Sequence, residues 1–159
     1  MLMSQFFIDN SEIILRLIVA VGLGLLVGVE RLFVHKDAGM KTHALVSLGS
    51  ALFVVISEMI IFRYEGAGAI DPTRIASQII VGIGFLGAGS IMLYGSRLRG
   101  LTTAGGLWVT AGIGMAAGFG FYALASITTV LVLFVLIVVN FFEKPIKKIS
   151  ADSEPSHES

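Results

Sequence analysis

The chain has 159 residues, of which 55% are hydrophobic and only 14% charged, with eleven basic and eleven acidic side chains in balance. A soluble domain carries about 25% charged residues because its surface must meet water. The composition therefore excludes a soluble enzyme, a disordered chain and a basic nucleic-acid binder, and a mean hydropathy of +0.91 points to an integral membrane protein with the lipid bilayer as its first partner. Without cysteine there is no disulfide framework, thiolate nucleophile or Cys-based zinc site.

A transmembrane helix needs about 20 largely apolar residues. Five stretches meet or approach that, at 13–33, 43–62, 73–94, 102–118 and 121–140. The expected fold is all-α, a polytopic bundle of five transmembrane helices over residues 1–142, with a short, polar, disordered tail at 143–159. The first charge is Asp9, and no positive segment precedes the first apolar run, so the N-terminus reads as a retained helix and not as a cleaved signal. Helices four and five meet across Gly118-Phe119-Gly120.

Lysines and arginines orient the bundle, because cytoplasmic loops carry the excess. Arg31, Lys36, Lys41, Arg97, Arg99, Lys144, Lys147 and Lys148 fall on one side, whereas Arg63 and Arg74 on the other are balanced by Glu65 and Asp71. The N-terminus is therefore expected outside and the C-terminus in the cytoplasm. A parallel repeat is also suggested. Gly22 to Leu26 matches Gly82 to Leu86, and Gly39-Met40-Lys41-Thr42 matches Gly100-Leu101-Thr102-Thr103, pairing helices one and two with three and four.

Most of the nineteen glycines lie in the first four spans. In lipid, small residues let helix backbones approach, so Gly24, Gly28, Gly82, Gly84, Gly87, Gly89, Gly114 and Gly118 are expected to form a tight bundle or a self-association face. Helix five, rich in Val, Leu, Ile and Phe, reads as peripheral. Gly82 to Gly87 also fits GxGxxG. A dinucleotide site would need a preceding strand and an acid about twenty residues on, and neither is present.

Ionisable residues at membrane depth are costly and mark function or pairing. On the outer side Arg16, Glu58, Asp71, Arg74 and Gln78 form either an ion-pair layer or a gated entrance, and Arg16 can pair with Glu12 at i,i+4. On the cytoplasmic side Glu30, Arg31, Lys41, Thr42, His43, Arg99, Thr102 and Thr103 gather near the starts of helices two and four. Helix starts attract anions, and the threonines can cap them. Glu30 is the natural anion, with Arg31, Lys41 and Arg99 around it; it either staples helix one to these starts or serves a ligand.

His35, His43 and His157 lack ligand spacing and magnesium favours carboxylates, so the metal ligands, if any, stay unassigned. No HExxH or GxSxG occurs, no cofactor is implied, and no enzyme activity is expected.

Three blocks carry a family resemblance. Gly24 to Arg31 followed by Ala38 to Val46, then Asp71 to Gln78 with Gly82 to Gly89, then Arg99 to Ala104 with Leu107 to Gly114, run in the order found in the MgtC/SapB family and cover about 16–122. Lys41 stands where that family usually has arginine. The chain resembles the short, SapB-like form without the soluble ACT-like domain. The resemblance implies a bacterial inner-membrane protein linked to growth at low magnesium and, in pathogens, to survival inside host cells. Two functions are open: a membrane regulator that contacts other membrane proteins or itself through its helices, or a small oligomeric magnesium or proton transporter using Glu30, Gln78 and Arg74.

Overall fold

A computed structural model of the chain describes residues 10–63, 71 and 73–152, with 73 and 143–152 described by backbone alone. Asp9, Glu65 and the tail from 153, to which the sequence assigns roles, lie outside the described residues. The five helices are α1 (Ser11–Phe33), α2 (Met40–Arg63), α3 (Thr73–Gly89), α4 (Leu101–Gly118) and α5 (Tyr122–Asp152). Three, namely α1, α2 and the 122–142 part of α5, are long and apolar enough to cross a membrane alone. The other two expected spans fall short of that. α3 is a shorter apolar helix. α4 is 18 residues long and rich in glycine and threonine, and half of its residues are buried among the others.

The α1–α2 connection is short because α1 ends in a hydrogen-bonded turn. Lys36 N–H donates to the Arg31 carbonyl at 3.0 Å and His35 N–H to that of Leu32 at 3.1 Å. His35 stands at φ +53, the left-handed position usually given to glycine in this kind of helix stop. α2 then begins at Met40, three residues before the expected start, with the His43 N–H on the Gly39 carbonyl at 3.1 Å.

The third helix differs most from expectation. It stops at Gly89, and the chain forms an antiparallel hairpin of β1 (Met92–Tyr94) and β2 (Arg97–Arg99), with Leu93 opposite Leu98. The apolar run through Ile91, Met92, Leu93 and Tyr94 carries the hydropathy past the true end of the helix. The Ser90 hydroxyl and N–H both donate to the Gly87 carbonyl, at 2.7 and 3.0 Å, and close the last turn. Gly95, at φ +60, leads a two-residue turn with Ser96, the hairpin type that takes glycine first. At the hairpin's base Gly100 adopts φ +91, and a Cβ there would lie 1.8 Å from the Ser90 carbonyl oxygen. Any side chain would push the hairpin open.

At its other end α5 also outruns expectation. Its backbone stays helical from Phe142 to Asp152, through the first part of the segment read as a tail.

The core lies where α1, α2 and α4 meet, with α5 against it. It is built of Ala20, Val27, Ala51, Ile113, Ala117 and Ala125, all fully buried. Small residues set the spacing. A Cβ on Gly24 would meet the His43 carbonyl oxygen at 2.7 Å, one on Gly28 the Met40 Cα at 2.5 Å, one on Gly114 the Ser47 carbonyl oxygen at 2.2 Å, and one on Gly118 the Ala51 Cα at 2.9 Å. These are backbone-to-backbone contacts, the close approach that stabilises helix pairs where lipid offers no hydrophobic drive. The glycines of α3 behave otherwise. Gly87 faces Ala104 at an ordinary 3.6 Å, while Gly82, Gly84 and Gly89 have nothing within 4 Å. Among the described residues these last three pack no helix, so the expected tight bundle does not include that face of α3.

Candidate functional site

At the end of the bundle where α1 stops and α2 starts, five polar side chains are buried together: Glu30, Arg31, His43, Ser47 and Thr110. Glu30 and Arg31 form an ion pair in which both the Arg31 Nε and Nη2 reach the Glu30 Oε2. The residues are 8% and 2% exposed, and their turn of α1 is held against the start of α2 by the Gly28–Met40 contact. His43 is fully buried and lies within electrostatic reach of both charges. Its Nδ1 is 2.8 Å from the Thr110 hydroxyl on α4. That hydroxyl donates its own proton to the Gly106 carbonyl at 2.7 Å, so the imidazole is the donor to Thr110. Ser47, one turn beyond His43, fills the junction between Gly24 and Gly114.

This cluster is under-satisfied. Glu30 Oε1, Arg31 Nη1, His43 Nε2 and the Ser47 hydroxyl are buried without a hydrogen-bond partner among the described residues. Each such group costs about 1–3 kcal/mol, and a buried ion pair is weak evidence for stability. A set of donors and acceptors left open beside a carboxylate and an imidazole can hold or pass a proton, or receive a small polar ligand. Among the described residues no three His, Asp or Glu side chains converge on a metal-sized site.

Only part of the expected cytoplasmic cluster is brought together. Lys41, Thr42, Arg99 and Thr102 are exposed, and the guanidinium of Arg99 lies over the Tyr94 ring at 5.2 Å instead of facing Glu30. Thr103 is buried and lines a cavity of about 440 Å³ with Asp37, Thr42 and Ser90. Neither helix start is capped by a threonine. Gly39 and Gly100 hold the cap positions, their carbonyls accepting from His43 and Ala104. Thr110 and Ser47 were not singled out in the sequence. Ser47 could have been, since it stands four residues from His43 on one helical face; Thr110 shows only as a hydroxyl inside an apolar helix.

At the opposite end, Arg16 gathers three elements. It donates to Glu58 on α2, to the Gly118 carbonyl closing α4 at 3.0 Å, and to Glu12 at 2.6 Å. Gly120, at φ +76 in the α4–α5 turn, leaves room for this guanidinium, which a Cβ would approach to 3.6 Å. Asp71, Arg74 and Gln78 are exposed and are not among these partners of Arg16. Gln78 instead opens into a groove of about 730 Å³ between α2 and α3.

A family model described as the MgtC family matches residues 17–145. The chain belongs to that family. Among curated relatives of this MgtC-family chain, it is 43% identical over 134 residues to the Putative magnesium transporter YhiD of Escherichia coli (strain K12), covering 82% of this chain and 62% of that protein. It is 42% identical over 127 residues to Protein MgtC of Brucella abortus (strain 2308), covering 80% and 49%. To Protein MgtC of Salmonella choleraesuis it is 40% identical over 141 residues, covering 89% and 58%. The chain thus spans about half to three-fifths of the length of these relatives. No solved structure matches it.

Proposed function

We propose that this MgtC-family chain is a non-enzymatic inner-membrane protein of magnesium homeostasis that acts by helix contact with another membrane protein. The observation that carries this is the outward side of α3. Gly84 and Ala88 stand one turn apart and exposed, with nothing within 4 Å of a Cβ at Gly84. Beside them Val81 and Phe85 are 68% and 82% exposed. A small-residue notch flanked by large apolar side chains suits a partner helix. Photo-crosslinking from position 85 in native membranes tests it. A discrete adduct lost in Gly84→Leu is expected; an adduct unchanged by that substitution would remove the contact.

The orientation that fits has the N-terminus outside and the C-terminus in the cytoplasm. In support, Asp37 of the α1–α2 connection and Met92 of the hairpin line one cavity, so the basic connections carrying Lys36, Lys41, Arg97 and Arg99 share an end. The two similar helix pairs fit a parallel duplication, although their glycines pack differently.

A transporter is the second reading, favoured by the open polar atoms around Glu30 and His43 and by the name of the YhiD relative. Against it, the residues expected along one path are dispersed. Glu30 is closed in beside Arg31, Gln78 opens into the α2–α3 groove, and Arg74 is exposed.

A further inference from the structure

The groove between α2 and α3 has a use that neither reading assigns. Its walls are Leu45, Gly49 and Phe53 of α2 and Ile79, Gly82 and Leu86 of α3, and Lys41 stands at one end. Its volume of about 730 Å³ lies within the ~300–1,000 Å³ of small-ligand sites. From Lys41 to Phe53 the helix rises about 18 Å at 1.5 Å per residue. One leaflet of the hydrocarbon core is about half of 30 Å thick, so the groove runs the depth of a leaflet from its charged end.

That end carries a cation without a counter-ion. Lys41 is exposed and makes no ion pair among the described residues. The neighbouring cavity shares Thr42, Val46 and Leu86 with the groove and is bordered by the hairpin residue Met92. The hairpin's Arg97 and Arg99 are exposed there too, and the acid in that cavity's lining is Asp37. The local balance is positive. We propose that the α2–α3 groove binds one anionic phospholipid, with an acyl chain between the helices and the phosphate on Lys41. A partner helix could fill the apolar walls but would leave the Lys41 charge uncompensated, whereas a lipid satisfies both features at once. Basic residues at a membrane surface favour anionic headgroups.

Glycine makes the site testable without breaking the fold. A Cβ at Gly49 or Gly82 meets nothing within 4 Å, so leucine at either position enters the groove and not the core. The full chain, purified in mild detergent, is incubated with phosphatidylglycerol or phosphatidylcholine of equal chain length. Retained lipid is counted by native mass spectrometry, and circular dichroism checks each variant's helicity. The wild type is expected to hold one phosphatidylglycerol in about fivefold preference, as one near-surface lysine allows. Lys41→Gln should retain the two lipids alike. Gly82→Leu should retain neither, and Gly49→Leu repeats that test from the other wall if Gly82→Leu loses helicity. Equal binding of both lipids by the wild type, or undiminished retention in the folded leucine variants, would overturn the proposal. So would a lipid-free wild-type dimer that Gly82→Leu splits, which would give the groove to a second copy of the chain.

Discussion

Gly24 and Gly84 occupy matching places in two similar stretches, Gly22 to Leu26 and Gly82 to Leu86, yet their surroundings are opposite. A Cβ on Gly24 would sit 2.7 Å from a backbone oxygen of α2, while one on Gly84 would meet nothing within 4 Å. The contrast extends to the helices that carry them. α1, α2 and α4 are joined by close backbone contact around an alanine-rich core, whereas α3 leans on α4 and leaves a groove against α2. α1 and α4 use their small residues to hold the bundle together, while α3 leaves most of its own on an open face.

The strongest way to break this contrast is to put bulk into the tight α1–α2–α4 contacts. Gly114→Leu drives a side chain into the Ser47 backbone, which a Cβ alone would approach to 2.2 Å. Loss of the folded bundle is expected, read as aggregation in size-exclusion chromatography in detergent. Next comes the buried pair. Arg31→Met leaves the Glu30 carboxylate buried and unpaired, at a cost of about 3–5 kcal/mol, whereas replacing both, Glu30→Leu with Arg31→Met, should recover most of it. Chemical denaturation of the wild type and these two variants checks this; equal losses in the single and the double variant would contradict the pairing. Thr110→Val removes the acceptor of the His43 N–H and should cost about 1–3 kcal/mol. At the small end, Gly84→Leu should change stability by no more than about 0.5 kcal/mol, although it should abolish partner capture. A large loss of stability there would place Gly84 in the core after all.

Much of this was legible in the sequence, and the misses have physical causes. Hydropathy found every helix, and helical spacing placed Glu12 beside Arg16. For Glu58 the sequence left an ion-pair layer and a gated entrance both open; Glu58 pairs with Arg16. The small-residue steps at Gly24 and Gly28 and at Gly114 and Gly118 marked true contacts. Periodicity, however, states which residues share a face, not which face is covered. Gly82, Gly84 and Gly89 carry the same signal as the packed glycines and pack on nothing among the described residues. Hydropathy likewise cannot tell the apolar strand Met92–Tyr94 from the end of a helix; the legible cue was Gly95-Ser96, a hairpin turn between two short stretches of extended chain. Charge proximity was also ambiguous around Glu30. Lys41 and Arg99 are near it in the helix plan, but the long guanidinium of its own neighbour, Arg31, folds back to take the carboxylate, and the other two cations turn outward.

The central claim is that this MgtC-family chain works by contact and that its Glu30 cluster is not an ion path. Its most direct test is magnesium and proton flux in proteoliposomes, with the wild type beside Glu30→Gln. The account predicts no flux above empty liposomes for either, from protein shown to be folded. Flux through the wild type that Glu30→Gln abolishes would contradict it and make the buried carboxylate part of a transport route.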